Sequence, residues 1–245
     1  MIRVSTGVEG LDKMLNGGFS KGRIILVSGG PGTGKTILAL QYLIRSLERG
    51  ESGVYVTLEE PLVFIMENAN SLGWNFRAYE KKNSLRLLDF YAVPYGSSSE
   101  IRTRQYGEST LSILKEISKA AKEVGAEHIV IDPITSIAVH EQSAGMKRYR
   151  IAEIINELRR TGCTSILTSE IVSAGEFYIE EFLADGVLRL EKTVQNFNLI
   201  NVLLIEKMRG VKYDEQPRRY IIDEGGLKVY HTEPVRPFEP SKPKS

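Results

Sequence analysis

Gly29-Gly30-Pro31-Gly32-Thr33-Gly34-Lys35-Thr36 satisfies every required position of the phosphate-loop pattern G-x-x-x-x-G-K-[ST]. Residues 23–28, just before it, form a short apolar run rich in β-branched side chains, as a buried parallel strand does. After it, Ile37, Leu38, Leu40, Tyr42, Leu43, Ile44 and Leu47 predict a mostly apolar helix that stops near Gly50. Strand, glycine loop and helix are what phosphate binding needs. Glycines let the backbone curl with its N–H groups turned inward, and the helix N-terminus adds the positive end of its dipole. The residues expected to contact a nucleotide are Gly30, Pro31, Gly32, Thr33, Gly34, Lys35, Thr36 and Ile37. Lys35 is expected on the β- and γ-phosphates and the Thr36 hydroxyl on Mg²⁺. The stretch predicts a nucleoside triphosphate site.

The 245 residues suffice for one large α/β domain or two small ones. Composition is that of an ordinary globular protein, 42% hydrophobic and 26% charged. A net charge of +1 makes no electrostatic case for a nucleic-acid or membrane partner. No apolar run approaches membrane-spanning length, and no signal-peptide pattern opens the chain. Cys163 is the single cysteine, and His128, His140 and His231 are scattered, which excludes an internal disulfide and a thiol-built zinc cluster. These features predict a cytoplasmic protein.

Upstream of the loop, Val8, Leu11 and Leu15 recur at helical spacing behind Ser5-Thr6, with Glu9 close by, which predicts a short capped helix ended by Gly17-Gly18. Downstream, 54–58 predicts a strand ending in Glu59-Glu60-Pro61, with the proline in the first turn of a helix through Leu62, Ile65, Met66, Ala69 and Leu72. Residues 85–90 predict a strand, and 91–107 an exposed loop. An amphipathic helix over 111–124 precedes an apolar strand, 128–132, closed by Asp132. A helix through Ile151, Ile154, Ile155 and Leu158 leads to a strand over 164–170. Alternating strands and helices predict an α/β fold, a mostly parallel sheet with helices on both faces. Residues 187–194 with 199–208, and 218–222 with 227–230, read as two hairpins, an antiparallel C-terminal extension. One domain is expected over 1–232, followed by a proline-rich disordered tail over 233–245.

Phosphoryl transfer to water needs a held Mg²⁺, an oriented water and positive charge on the transferred group. Asp132 is the expected metal-holding carboxylate together with Thr36. Pro133 stands where many ring ATPases carry a glutamate, so the base must come from elsewhere. Glu59 is expected as base and Glu60 as its support, because parallel connectivity puts their strand end on the edge of the glycine loop. No Asn-Lys-x-Asp guanine motif occurs, and an acceptor-kinase lid has only Arg102 and Arg104 to offer. Lys207 and Arg209 share strand parity and point to one face, where a ring would let them act on a neighbour's γ-phosphate.

Together these stretches resemble the KaiC-like family of RecA-type ATPases, in its single-domain archaeal form. The likeness runs from about residue 5 to about 230. It is carried by Ser5-Thr6-Gly7-Val8-Glu9-Gly10-Leu11-Asp12, the phosphate loop, Thr57-Leu58-Glu59-Glu60, Asn70-Ser71-Leu72-Gly73-Trp74 and Val130-Ile131-Asp132. Leu167-Thr168-Ser169-Glu170, residues 180–186 and Lys207-Met208-Arg209-Gly210 complete it. The resemblance implies a RecA-like P-loop NTPase core and ATP–Mg²⁺ at the subunit interfaces of a hexameric ring. It further implies Lys35, Lys207 and Arg209 as catalytic cations, the last two in trans. Glu181-Phe182 occupy the places of the Ser-Thr pair that the clock protein autophosphorylates, so self-kinase activity is not expected. The expected activity is slow ATP hydrolysis with a regulatory output. The alternative is an ATP-gated module for a protein partner or DNA. For DNA, Lys147, Arg148 and Arg150 are expected in one central loop, while Glu170, Glu176, Glu180 and Glu181 in the next would repel phosphates, and Phe177 and Tyr178 read as packing residues. DNA is therefore disfavoured.

Overall fold

A computed structural model describes residues 2–91, 110–138, 143–170, 179–195 and 197–235. In chain order its elements are β1 (Arg3–Val4), α1 (Leu11–Met14), β2 (Phe19–Ser20), β3 (Ile24–Gly29), α2 (Lys35–Glu48), β4 (Gly53–Thr57), α3 (Leu62–Ser71), α4 (Phe76–Lys81) and β5 (Leu85–Asp89). There follow α5 (Thr110–Val124), β6 (His128–Asp132), α6 (Thr135–Ala138), α7 (Ala144–Thr161), β7 (Thr164–Glu170) and α8 (Ile179–Leu183). The chain closes with β8 (Gly186–Gln195), β9 (Asn198–Met208), β10 (Arg218–Asp223) and β11 (Gly226–Pro234).

Every residue of β3 is buried, as a strand covered on both faces requires. Its side chains alternate between two cores. Ile25 and Val27 pack with Leu38, Tyr42 and Leu43 of α2 and with Ile65 and Met66 of α3. Ile24 and Leu26 pack with Leu114 and Ile117 of α5 and with Ile151, Ile154 and Leu158 of α7. Helices thus cover both faces of one nine-stranded sheet, ordered β11-β10-β9-β8-β3-β7-β6-β4-β5. The strands from β8 to β5 in that order pair in parallel, and β9, β10 and β11 add on antiparallel. The expected α/β sheet with an antiparallel C-terminal extension is what forms. One strand differs: β8, read as the start of the extension, is itself a core strand, parallel to β3 in the register Ile25↔Gly186 to Gly29↔Leu190.

Local elements depart from those expected. The N-terminal helix is a single turn without a side-chain cap. Ser5 instead donates to Asp12 Oδ2 at 2.6 Å, the Thr6 N–H donates to Asp12 Oδ1 at 2.8 Å, and Glu9 pairs with Lys228 of β11 at 2.9 Å. Pro61 precedes α3 rather than opening it, with φ −54° and ψ 135°. The helix α4 goes unpredicted because Phe76 is its one buried residue, which leaves no apolar period to read. Lys147, Arg148 and Arg150 lie in the first two turns of α7, not in a loop, and Arg150 pairs with Glu153 at 3.2 Å. The last strand also runs on through Glu233 and Pro234, past the expected boundary at 232. The rest of the expected tail, most of the 91–107 loop with Arg102 and Arg104, and Glu176, Phe177 and Tyr178 lie outside the described residues.

Candidate functional site

Gly29 ends β3, and the loop turns into α2 with Lys35 as the first helical residue. Gly34 makes that turn at φ +91°, in the left-handed region open to glycine, and a side chain there would strike Ile222 Cδ1 of β10. The loop holds its own shape. The Thr33 hydroxyl donates to the Gly30 carbonyl at 2.8 Å, and the Lys35 ammonium donates to the same oxygen at 3.0 Å. From the sheet extension, the buried Tyr220 phenol donates to the Thr33 carbonyl at 2.5 Å.

Parallel pairing brings the carboxyl ends of the core strands to one edge, where crevices form in open α/β sheets. Glu170 at the end of β7 is level with Gly29, and Asp132 at the end of β6 is level with Thr57 of β4. Between these ends lies a cavity of about 380 Å³. Pro31, Gly32, Gly34, Lys35, Thr36 and Ile37 form one wall, and Thr57, Glu59, Glu60, Ile65, Asp132, Pro133, Glu170 and Ile222 form the rest. Of the expected nucleotide residues, Gly30 and Thr33 brace the loop from behind. The others line the cavity with Glu59, Glu60 and Asp132. Glu170, Tyr220 and Ile222 were not foreseen in this site. Glu170 left a signal, since it ends a core strand as Asp132 does; Tyr220 and Ile222 left none.

Charge in the cavity is lopsided. Lys35 is the single cation among the described lining residues, against Glu59, Glu60, Asp132 and Glu170. Its ammonium lies 3.8 Å from Glu170 Oε1. Burial pushes the Lys35 ammonium down from its ordinary pKa, against the opposing pull of Glu170, Asp132 and Glu59. Burial raises the Glu59 carboxyl, and the neighbouring Glu170 and Asp132 carboxylates raise it further. Glu60 is raised by burial and by Asp132, while its backbone carbonyl accepts the Thr57 hydroxyl at 2.5 Å. A carboxylate moved toward neutral pH is a better proton acceptor than an ordinary one.

Asp132 is buried and oriented from both sides: Tyr55 donates to Oδ2 at 2.9 Å and Thr168 donates to Oδ1. With Thr36 it offers one carboxylate and one hydroxyl, a sparse donor set that suits Mg²⁺, which keeps several waters and takes phosphate oxygens. Among the described residues no group of three His, Cys, Asp or Glu side chains forms a metal cage.

The structure does not bring Lys207 and Arg209 to this cavity. Lys207 is paired with Val187, which is level with Leu26 near the amino end of β3. That places it two strands across and roughly 10 Å down the sheet from Gly29. Its ammonium donates to the Glu181 and Phe182 carbonyls at 2.7 and 3.2 Å, and Arg209 donates to the Phe182 carbonyl at 3.2 Å. Burial, then the Arg209 charge, push the Lys207 ammonium down from its ordinary pKa.

Comparison with known proteins agrees with this arrangement. The family model described as "ATPase: KaiC" matches residues 4–234. UPF0273 protein PH0284 of Pyrococcus horikoshii is 34% identical, over 93% of this chain and 94% of its own length. UPF0273 protein MK0039 of Methanopyrus kandleri is also 34% identical, over 93% of this chain and 91% of its own. The crystal structure of the KaiC-like protein PH0186 from Pyrococcus horikoshii superposes with a TM-score of 0.81 at 33% identity, covering 94% of this chain and 99% of that one. The phosphate loop, the two acidic strand ends facing it and the match across residues 4–234 have one meaning: the chain belongs to the KaiC family of ATPases.

Proposed function

We propose that the chain binds ATP with Mg²⁺ and hydrolyses it slowly, in a ring whose sites lie between subunits, as a cytoplasmic regulatory or signalling ATPase. The observation that carries this reading is the charge of the cavity. One lysine faces four carboxylates there, and a triphosphate adds more negative charge still. Mg²⁺ held by Thr36 and through water by Asp132 offsets part of the excess. Further positive charge on the phosphates comes in part from the chain's own Lys192, whose ammonium lies against the loop at Gly32, and in part from a neighbouring copy. Lys207 and Arg209, too far from their own phosphate loop, are the supply a neighbouring copy offers. In a head-to-tail ring the donor surface and the receiving site must be different faces of one subunit.

In the site, Lys35 moves from the Gly30 carbonyl to the β- and γ-phosphates, and the loop N–H groups cradle them. Glu59 accepts the proton of the attacking water, with Glu60 beside it. Thr36 and Asp132 position the metal, whose chemistry is to neutralise charge on the phosphate oxygens.

Steady-state ATP hydrolysis across protein concentration, for wild type and Arg209→Ala, tests the reading. Specific activity rises with concentration, and the substitution lowers it by about 10³ or more with ATP still bound. Activity independent of concentration and intact in Arg209→Ala would sink the shared site. Tight ATP binding with no turnover in either protein would instead favour an ATP-gated binding module.

A further inference from the structure

At the amino end of β3, opposite the cavity, one buried carboxylate gathers three guanidinium groups. Asp185 Oδ1 lies 3.4 Å from Arg159 Nη2, 3.6 Å from Arg23 Nη1 and 3.7 Å from Arg209 Nη1. Its side chain is 4% exposed, whereas those of Arg23, Arg159 and Arg209 are 42%, 39% and 53% exposed. The carboxylate is pinned to the sheet. Its Oδ2 accepts the Ile24 N–H at 3.2 Å, its own N–H donates to the Ile24 carbonyl at 2.8 Å, and its carbonyl accepts the Arg209 N–H at 2.9 Å. Around it the last turn of α8 presents carbonyls, Leu183 O to Arg159 and Phe182 O to both Arg209 and Lys207. The neighbouring acids are engaged elsewhere: Glu181 and Glu206 both accept from Arg189, at 2.8 and 2.7 Å.

Three guanidinium groups therefore share one carboxylate, with their heads half in solvent, and the Lys207 ammonium lies beside them on the Glu181 and Phe182 carbonyls. The α8 carbonyls satisfy part of their hydrogen bonding, but three positive charges around one acid leave a net positive surface that an added anion would stabilise. The cavity at the other edge of the sheet carries the opposite excess, four carboxylates against one lysine among its described lining residues. We propose that Arg23 and Arg159 belong with Lys207 and Arg209 to one cationic surface, set by Asp185, that receives the nucleoside triphosphate held by a second copy of the chain. Asp185 is a positioning residue here: it holds the guanidinium groups without touching the nucleotide. This rests on the shared-site reading above.

Trans-complementation tests it. Arg159→Gln alone, with its thermal midpoint and equilibrium ATP affinity at high dilution checked against wild type, loses at least fivefold in kcat. It regains turnover when co-assembled with Glu59→Gln subunits, which hydrolyse about 10² more slowly or worse but carry an intact cationic surface. ATP-driven assembly followed by sedimentation weakens in the same variant. Arg160→Gln, next to it and paired with Glu157, changes neither. Should Arg159→Gln unfold, Arg23→Gln gives the same comparison from a different strand. Retained turnover in folded Arg159→Gln and Arg23→Gln, or loss that co-assembly does not restore while Arg209→Ala is restored, overturns the inference and leaves the shared site standing. Failure to restore Arg209→Ala as well removes both.

Discussion

The Tyr220 phenol donates to the Thr33 carbonyl at 2.5 Å, so a strand near the end of the chain fixes the loop near its beginning. The bond is buried, and Ile222, two residues on, fills the space left by the missing Gly34 side chain. The antiparallel extension thereby holds the phosphate-loop motif in shape.

Tyr220→Phe removes that donor and strands a buried carbonyl, at a cost of about 1–3 kcal/mol. The loop then samples other conformations, and ATP affinity falls about 5- to 100-fold by isothermal titration calorimetry, with the fold intact by circular dichroism. Unchanged affinity would show that the loop keeps its shape without the brace.

Glu59 carries opposite signatures in stability and in turnover. Its carboxyl is raised by burial first and by Glu170 and Asp132 next. A raised folded-state value means that the folded protein takes up the proton more readily than the unfolded chain. The associated stability is present below the ordinary carboxylate range and lost as pH rises through the raised value. Glu59→Gln, uncharged throughout, therefore raises the nucleotide-free thermal midpoint at pH 7 by roughly 1–3 °C, and the gain shrinks toward pH 4. Turnover in the same variant drops by about 10² or more, and the acid limb of the wild-type kcat/KM profile lies above the ordinary glutamate value of about 4.3. A midpoint difference that is flat from pH 4 to 7 would contradict the assignment.

His128 opens the strand that Asp132 closes, and it is buried between two helpers. Nδ1 lies 2.7 Å from the Tyr42 hydroxyl and Nε2 3.0 Å from Glu51 Oε2. Burial pushes the imidazole pKa down, outweighing Glu51, which raises it. The unfolded chain thus takes the proton first as pH falls. Stability is fully present above about 6.5 and is lost below it. The imidazole resonances should titrate with a midpoint under 6.5, and the thermal midpoint should fall between pH 7 and 5 more steeply than in His128→Gln. A titration midpoint at or above 6.5 would refute this.

Much of the candidate site was legible because each piece is local. A glycine loop with its lysine and threonine is contiguous, and an apolar strand ending in an acid announces both its burial and its direction. Parallel alternation then places Glu59, Glu60 and Asp132 on the loop's edge without any coordinates. Glu170 could have been added by the same logic, but the acids after it suggested a repelling loop instead. The Ser5-Thr6 cap failed because their hydroxyls accept the Gly7 and Val8 N–H groups in local turns, while α1 begins only at Leu11, and a one-turn helix has too few apolar positions to reveal that. The cations of residues 147–150 looked like loop residues because the apolar period of α7 begins only at Ile151.

From sequence alone follow the phosphate-loop motif, the parallel α/β core, the acidic pair, the carboxylate that closes β6, and the parity of Lys207 and Arg209. All of these depend on spacings of a few residues, which covalent geometry and hydrogen-bond periodicity control. The tertiary structure decided that β8 joins the core, that β10 braces the phosphate loop, that Lys35 faces four carboxylates among the described lining residues, and that Asp185 collects guanidinium groups from three separate segments. Those relationships join residues up to 187 positions apart. They are set by strand order and helix packing, long-range choices that no local period encodes.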